Sequence, residues 1–182
     1  RTYVLEGPMD LKKIIRDIPD FPIKGILFHD VTTIFKNPTA FAYCVDELKR
    51  EYIQSGSNTI CAMDARGFIL GAALAVHVRA PLVLVRKKGK LPAAKVSQKY
   101  DLEYGTAEIE MQDDIGSNSK VFLVDDLVAT GGTLVAASSL INQLGAEITT
   151  IACIVDMPDL EGSRRLKALG YRFFSMVEYS GH

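Results

Sequence analysis

The residues best suited to do chemistry stand in one run, Val121-Phe122-Leu123-Val124-Asp125-Asp126-Leu127-Val128-Ala129-Thr130-Gly131-Gly132-Thr133. Four apolar residues lead into two acids and then a small-residue loop that opens a helix. Gly131 and Gly132 let backbone N–H groups approach an anion, Thr130 and Thr133 add hydroxyl donors, and the helix dipole favours negative charge there. Two carboxylates repel a phosphate, so Asp125 and Asp126 need a different neighbour. Neutral hydroxyls, such as a ribose diol, suit an acceptor-only group. The run is therefore expected to hold a ribose 5-phosphate, hydroxyls on the acids and phosphate on the amides. The plainer alternative is an acid pair at a strand end followed by a glycine turn, as in many α/β folds. Neither G-x-x-x-x-G-K-[ST] nor G-x-G-x-x-G occurs, which removes the main support for a P-loop ATPase or a dinucleotide site.

Positioning such a loop requires a strand before it and a helix after it, and the chain repeats that alternation. Residues 59–63 read as a buried strand and 67–78 as an apolar helix; 81–85 and 121–124 read as further strands, with a helix near 133–144 stopped by Gly145. Residues 148–155 are another apolar β-branched run, a weak helix over 160–169 ends at Gly170, and 171–174 closes the series. Ahead of them, Asn37 and Pro38 make a cap and first position for a helix to about Gln54. Continuous apolar strands alternating with helices predict an α/β fold, a parallel sheet flanked by helices, with ligands beyond the strands' carboxyl ends.

Two segments break the alternation. Residues 18–36 are rich in Phe and Pro. Residues 86–114 are charge-segregated, with six basic residues and no acid over 86–99, then six acids and no base over 101–114. From charge alone the expectation is divided between solvated hairpin strands and a functional lid.

Composition sets the class. In 182 residues, 48% hydrophobic and 24% charged with a net charge of -1, there is no sign of disorder and no basic excess of the kind nucleic-acid binders carry. At this size roughly 70% of the chain's surface is buried, so residues 1–182 are expected to form one domain. Cys44, Cys61 and Cys153 lie far apart in apolar runs, which fits core thiols in a reducing compartment. The uncharged stretch 127–146 contains Gly, Ser, Thr, Asn and Gln and does not read as a membrane span. The first residues show no apolar signal core, and the expected location is the cytoplasm.

The run VDDLVATGGT resembles the phosphoribosyl-pyrophosphate signature of type I phosphoribosyltransferases. Four other segments, FPIKGILFHDVT (21–32), DARGFILG (64–71), VRKKGKLP (85–92) and YDLEYGTAEIE (100–110), are similar in order and spacing to the adenine-specific branch of that family. The resemblance implies that adenine and phosphoribosyl pyrophosphate give AMP and pyrophosphate, with magnesium, in purine salvage by a homodimer. It also implies a small N-terminal hood at approximately 18–36 and a flexible flap at approximately 87–110.

Displacing pyrophosphate from an anomeric carbon builds negative charge on the departing group, which calls for fixed cations. Arg66, Arg86, Lys87 and Lys90 can supply them. The resemblance assigns pyrophosphate to the loop Asp64-Ala65-Arg66-Gly67, the sugar phosphate to Asp125, Asp126, Ala129, Thr130, Gly131, Gly132 and Thr133, and the purine to Leu27, Phe28 and His29. Phe28 would stack on the base, and His29 replaces the Arg of some relatives. Glu103 is the family-matched general acid/base, and Tyr104 would help seal the site. Magnesium prefers oxygen ligands and needs no protein cage when substrate phosphates and hydroxyls surround it. His77 is expected as a helix-end residue and His182 as part of the tail. The rival readings are a regulator that binds the same sugar phosphate without breaking a bond, its basic stretch serving RNA, and a transferase for a 6-oxopurine. No nucleic acid or membrane partner is expected.

Overall fold

The computed structural model describes residues 8–93, 95–102 and 105–180. After a 3-10 turn at Leu11–Lys13 come β1 (Arg16–Pro19), β2 (Leu27–Asp30), α1 (Thr32–Phe35), α2 (Pro38–Ser55), β3 (Thr59–Met63), α3 (Arg66–Val78), β4 (Leu82–Lys87), β5 (Lys95–Leu102) and β6 (Gly105–Gln112). β7 (Lys120–Val124), β8 (Leu127–Val128), α4 (Gly132–Gln143), β9 (Glu147–Asp156), α5 (Gly162–Ala168) and β10 (Phe173–Glu178) follow. The helix expected from Asn37 begins there, its side chain accepting a bond from the Ala40 amide at 3.1 Å.

The main sheet runs β10-β9-β7-β3-β4-β6-β5, with β8 beside β9. The first five strands are mutually parallel, as the apolar runs predict, whereas β6 and β5 join antiparallel. The charge-segregated insert is thus a hairpin that extends the sheet from β4. Its basic and acidic halves face one another, with Lys88 bonding Glu108 at 2.8 Å and Lys99 opposite Glu108 in register. The sequence places the last strand at 171–174; the structure has it at Phe173–Glu178, with Tyr171 and Arg172 in the connection after α5.

Strand residues alternate between two cores. Ile60, Ala62, Phe122 and Val124 pack with α2 and α3 on one face, while Cys61, Met63, Val121 and Leu123 pack with α4 and α5 on the other. Cys44, Cys61 and Cys153 are free and buried. β1 and β2 form a separate antiparallel pair in the segment expected as the hood. No helix among the described residues is long and apolar enough to cross a membrane.

Candidate active site

Chain order in the parallel sheet runs β3 to β4 on one side and then β7, β9 and β10 on the other, so the connections diverge between β3 and β7. That divergence opens a crevice at the strands' carboxyl ends, where ligands bind in open α/β sheets. Asp64, Ala65 and Arg66 follow β3, Arg86 and Lys87 end β4, and Asp125 and Asp126 follow β7.

The loop expected as a phosphate cradle lines a concavity formed by Asp125 and residues 127–134. Gly131 sits at the N-cap of α4 with φ 78°, a left-handed conformation that L side chains resist, and no side chain caps the helix there; amides at such a helix start suit an anion. The backbone at Gly162 braces this turn: its N–H donates to Ala129 O at 2.9 Å, and a Cβ there would stand 2.3 Å from that oxygen and 2.7 Å from Gly131 N. Arg165 adds a bond to Thr130 O at 3.1 Å. Sequence reasoning passed over Gly162 because the contact spans thirty residues; its one local sign is a glycine where a short helix begins.

A second concavity is lined by Met63, Asp64, Val85, Arg86, Lys87, Tyr100, Ile109, Asp125 and Thr133. The two share Asp125 and Thr133, so the cradle and the basic end of β4 adjoin. The end of β5 also lies over the cradle, since a Cβ on Gly132 would stand 3.6 Å from Asp101 O.

The electrostatics pair the acids unequally. Asp126 accepts a hydrogen bond from Arg66 Nε. Asp125 accepts one from the Asp126 amide at 2.8 Å, and burial, with the charge of Asp126 beside it, pushes its carboxyl well above the ordinary carboxylate range. Asp64 bonds Arg86 Nε at 3.2 Å. Among the described residues no three His, Cys, Asp or Glu side chains converge to hold a metal ion, and Asp125 and Asp126 are hard oxygen donors at the crevice.

The expected base-binding residues adjoin this crevice through Arg66, whose guanidinium stands 6.0 Å from the Phe28 ring centre. Phe28 also meets Phe21 edge to face at 5.1 Å, and Leu27 is exposed. The His29 side chain does not join them: it is buried, bonded to Asp17 at 2.7 Å and stacked on Tyr179 at 3.7 Å. The ring instead joins β2 to Asp17 of β1 and to Tyr179, just after β10. His77, near the end of α3, is half exposed and 3.7 Å from Asp46, away from the crevice. Lys87 and Lys90 are exposed. Glu103, Tyr104 and His182 lie outside the described residues.

The family description "Phosphoribosyl transferase domain" matches residues 30–175. The chain is 46% identical over 172 residues to the adenine phosphoribosyltransferase of Marinobacter nauticus, covering 94% of this chain and 96% of that protein. Its fold is similar to the crystal structure of adenine phosphoribosyltransferase from Thermoanaerobacter pseudethanolicus, with TM-score 0.88, 40% identity and coverage of 93% and 98%. It is also similar to the Saccharomyces cerevisiae adenine phosphoribosyltransferase complexed with an imino-altritol bisphosphate and adenine, with TM-score 0.85, 34% identity and coverage of 92% and 97%.

Proposed function

The chain belongs to the phosphoribosyl transferase domain family, and on that premise we propose that it is a purine-salvage enzyme that transfers 5-phosphoribosyl from phosphoribosyl pyrophosphate to adenine. The products are AMP and pyrophosphate. The observation that carries this reading is the crevice between β3 and β7, where an acid pair, a glycine-framed helix start and Arg66 converge.

In the reaction the bond from C1 of the ribose to the pyrophosphate oxygen breaks, the bond from adenine N9 to C1 forms, and the N9 proton departs. The amides and hydroxyls of Ala129, Thr130, Gly131, Gly132 and Thr133 hold the 5-phosphate, and Asp125 and Asp126 accept bonds from the ribose hydroxyls. For Asp126 this means exchanging its bond from Arg66 for bonds from the sugar. Arg66 and the amides of the loop at Ala65 then face the pyrophosphate with Arg86, Lys87 and Lys90, a fixed set of cations where negative charge accumulates. Leu27, Phe28 and the backbone at His29 form the purine shelf. Glu103 acts as the general acid/base and Tyr104 helps exclude water, roles that rest on the family resemblance.

Asp125 and Asp126 would stand beside magnesium carried in by the substrate's diol and pyrophosphate, and the ion would supply positive charge for the departing pyrophosphate. Residues 1–182 act as one phosphoribosyltransferase domain, with a hood and a flap, in the cytoplasm. A homodimer is supported by α3, whose outer face carries Ile69, Ala72 and Val76 at helical spacing, 41% exposed at Ile69 and 81% at Val76. Chromatography of a reaction containing magnesium, phosphoribosyl pyrophosphate and adenine tests the reading: AMP appears as adenine disappears, and an unchanged adenine peak overturns it.

A further inference from the structure

Glu110 is a charged residue buried beside the basic turn that follows β4. It lies on β6 opposite Arg86, and the residue is only 1% exposed. Its Oε1 accepts from the Lys90 amide at 3.0 Å and the Leu91 amide at 2.8 Å. Lys95 Nζ stands 3.5 Å from Oε2 and donates to Leu91 O at 2.9 Å, closing the network. The amide bond from Leu91 holds the Glu110 carboxyl below its ordinary value, so the group is an anion tied to backbone. Leu91 is itself buried, which pins the turn from the apolar side.

The cations of this turn differ in what they already hold. Arg86 bonds Asp64 and Lys88 bonds Glu108. Among the described residues Lys87 and Lys90 have no ion-pair partner. The backbone of Lys87 is held in the β4–β6 ladder opposite Ile109, whereas that of Lys90, beyond the strand, is fixed by the buried carboxylate, which accepts from its amide. A lysine ammonium rides on a flexible four-carbon stem, and anchoring the base of that stem lowers the ordering cost of holding an anion.

We propose that Glu110 is a positioning residue that fixes the backbone at Lys90 and Leu91, so that the Lys90 ammonium, and not that of Lys88, engages the pyrophosphate of the phosphoribosyl donor. This rests on the transfer reaction proposed above. Glu110 touches no substrate and acts through Lys90.

The test is steady-state kinetics on the parent, Lys90→Ala, Glu110→Gln, the double variant and Lys88→Ala. Lys90→Ala is expected to raise KM for phosphoribosyl pyrophosphate by about tenfold to a hundredfold, the range for one lost charge-assisted contact, with KM for adenine little changed. Glu110→Gln raises the same KM. The double variant is no worse than Lys90→Ala, because two residues acting through one contact are not additive. An unchanged KM in Lys90→Ala or in a folded Glu110→Gln, additive effects in the double variant, or an equal effect in Lys88→Ala each overturns the proposal. Lys90 is exposed, so its variant tests the pyrophosphate contact without disturbing the fold, and where Glu110→Gln folds poorly Glu110→Asp, which keeps the charge but draws it back from the two amides, tests the positioning, with a parent-like KM overturning it. If the parent forms no AMP, the reaction reading fails separately. Calorimetry of inorganic pyrophosphate binding to the parent and Lys90→Ala then decides the placement, with equal affinities overturning it.

Discussion

Arg66 Nε donates a hydrogen bond to Oδ2 of Asp126, tying the start of α3 to the residue pair that follows β7. The same guanidinium stands 6.0 Å from the Phe28 ring centre, so one side chain connects the acid pair, the loop after β3 and the hood. Under the proposed assignment of the acid pair to the ribose, the sugar would compete with Arg66 for Asp126 and leave the arginine to face the leaving group.

Asp126→Asn keeps the shape of the side chain but removes its charge and one acceptor oxygen. KM for phosphoribosyl pyrophosphate is expected to rise by about tenfold or more, with a smaller change in KM for adenine. Initial-rate measurements varying each substrate in turn check this, and equal shifts in the two KM values would place Asp126 outside the sugar site.

Gly162→Ala drives a methyl group into Ala129 O and Gly131 N, both part of backbone that cannot step aside without opening the cradle. A loss of stability on the order of 1–3 kcal/mol is expected, together with weaker binding of the sugar phosphate. Urea unfolding reads the first and calorimetric titration with ribose 5-phosphate the second. Parent-like values in both would show that the α5 turn is not a brace.

The cradle was legible in the sequence because its parts are local: the apolar strand, the acids, Gly131 and the helix start are consecutive, and one periodicity change marks the boundary. The alternation from β3 to β9 was legible for the same reason. Gly162 and Glu110 were not, since each matters through a partner in a different element. The insert over 86–114 showed its segregated charge but not its place in the sheet, because pairing β6 with β4 and β5 depends on where the chain returns. The His29 ring was unreadable for the opposite reason: its neighbours in sequence belong to the proposed purine shelf, yet the ring faces Asp17 and Tyr179.

Stability of the hood should depend on acidity through Asp30. The Thr32 hydroxyl bond and the Arg16 bond at 2.5 Å lower its carboxyl from 3.8 to about 2. A carboxyl lowered on folding stabilises the protein above 3.8, and that contribution is lost as the pH falls from there to about 2. The difference in urea midpoint between the parent and Asp30→Asn is therefore constant near neutrality and shrinks on that acid limb. A difference that holds constant through the limb would contradict the pairing.

Glu103→Gln tests the proton-transfer role independently of binding. The expected outcome is a fall in kcat of about a hundredfold or more, in the range of lost general acid/base catalysis, with both KM values near the parent's. Turnover at the parent's rate would remove Glu103 from the chemistry.

Transfer of a phosphoribosyl group to adenine sets pyrophosphate free, and that release is what should be measured. Matched reactions would contain magnesium, phosphoribosyl pyrophosphate and either adenine, hypoxanthine or guanine. Release with adenine and not with the 6-oxopurines is the predicted result. Release with hypoxanthine or guanine instead would contradict the purine-shelf assignment, and no release with any base, in a protein that still binds ribose 5-phosphate, would contradict the reaction itself.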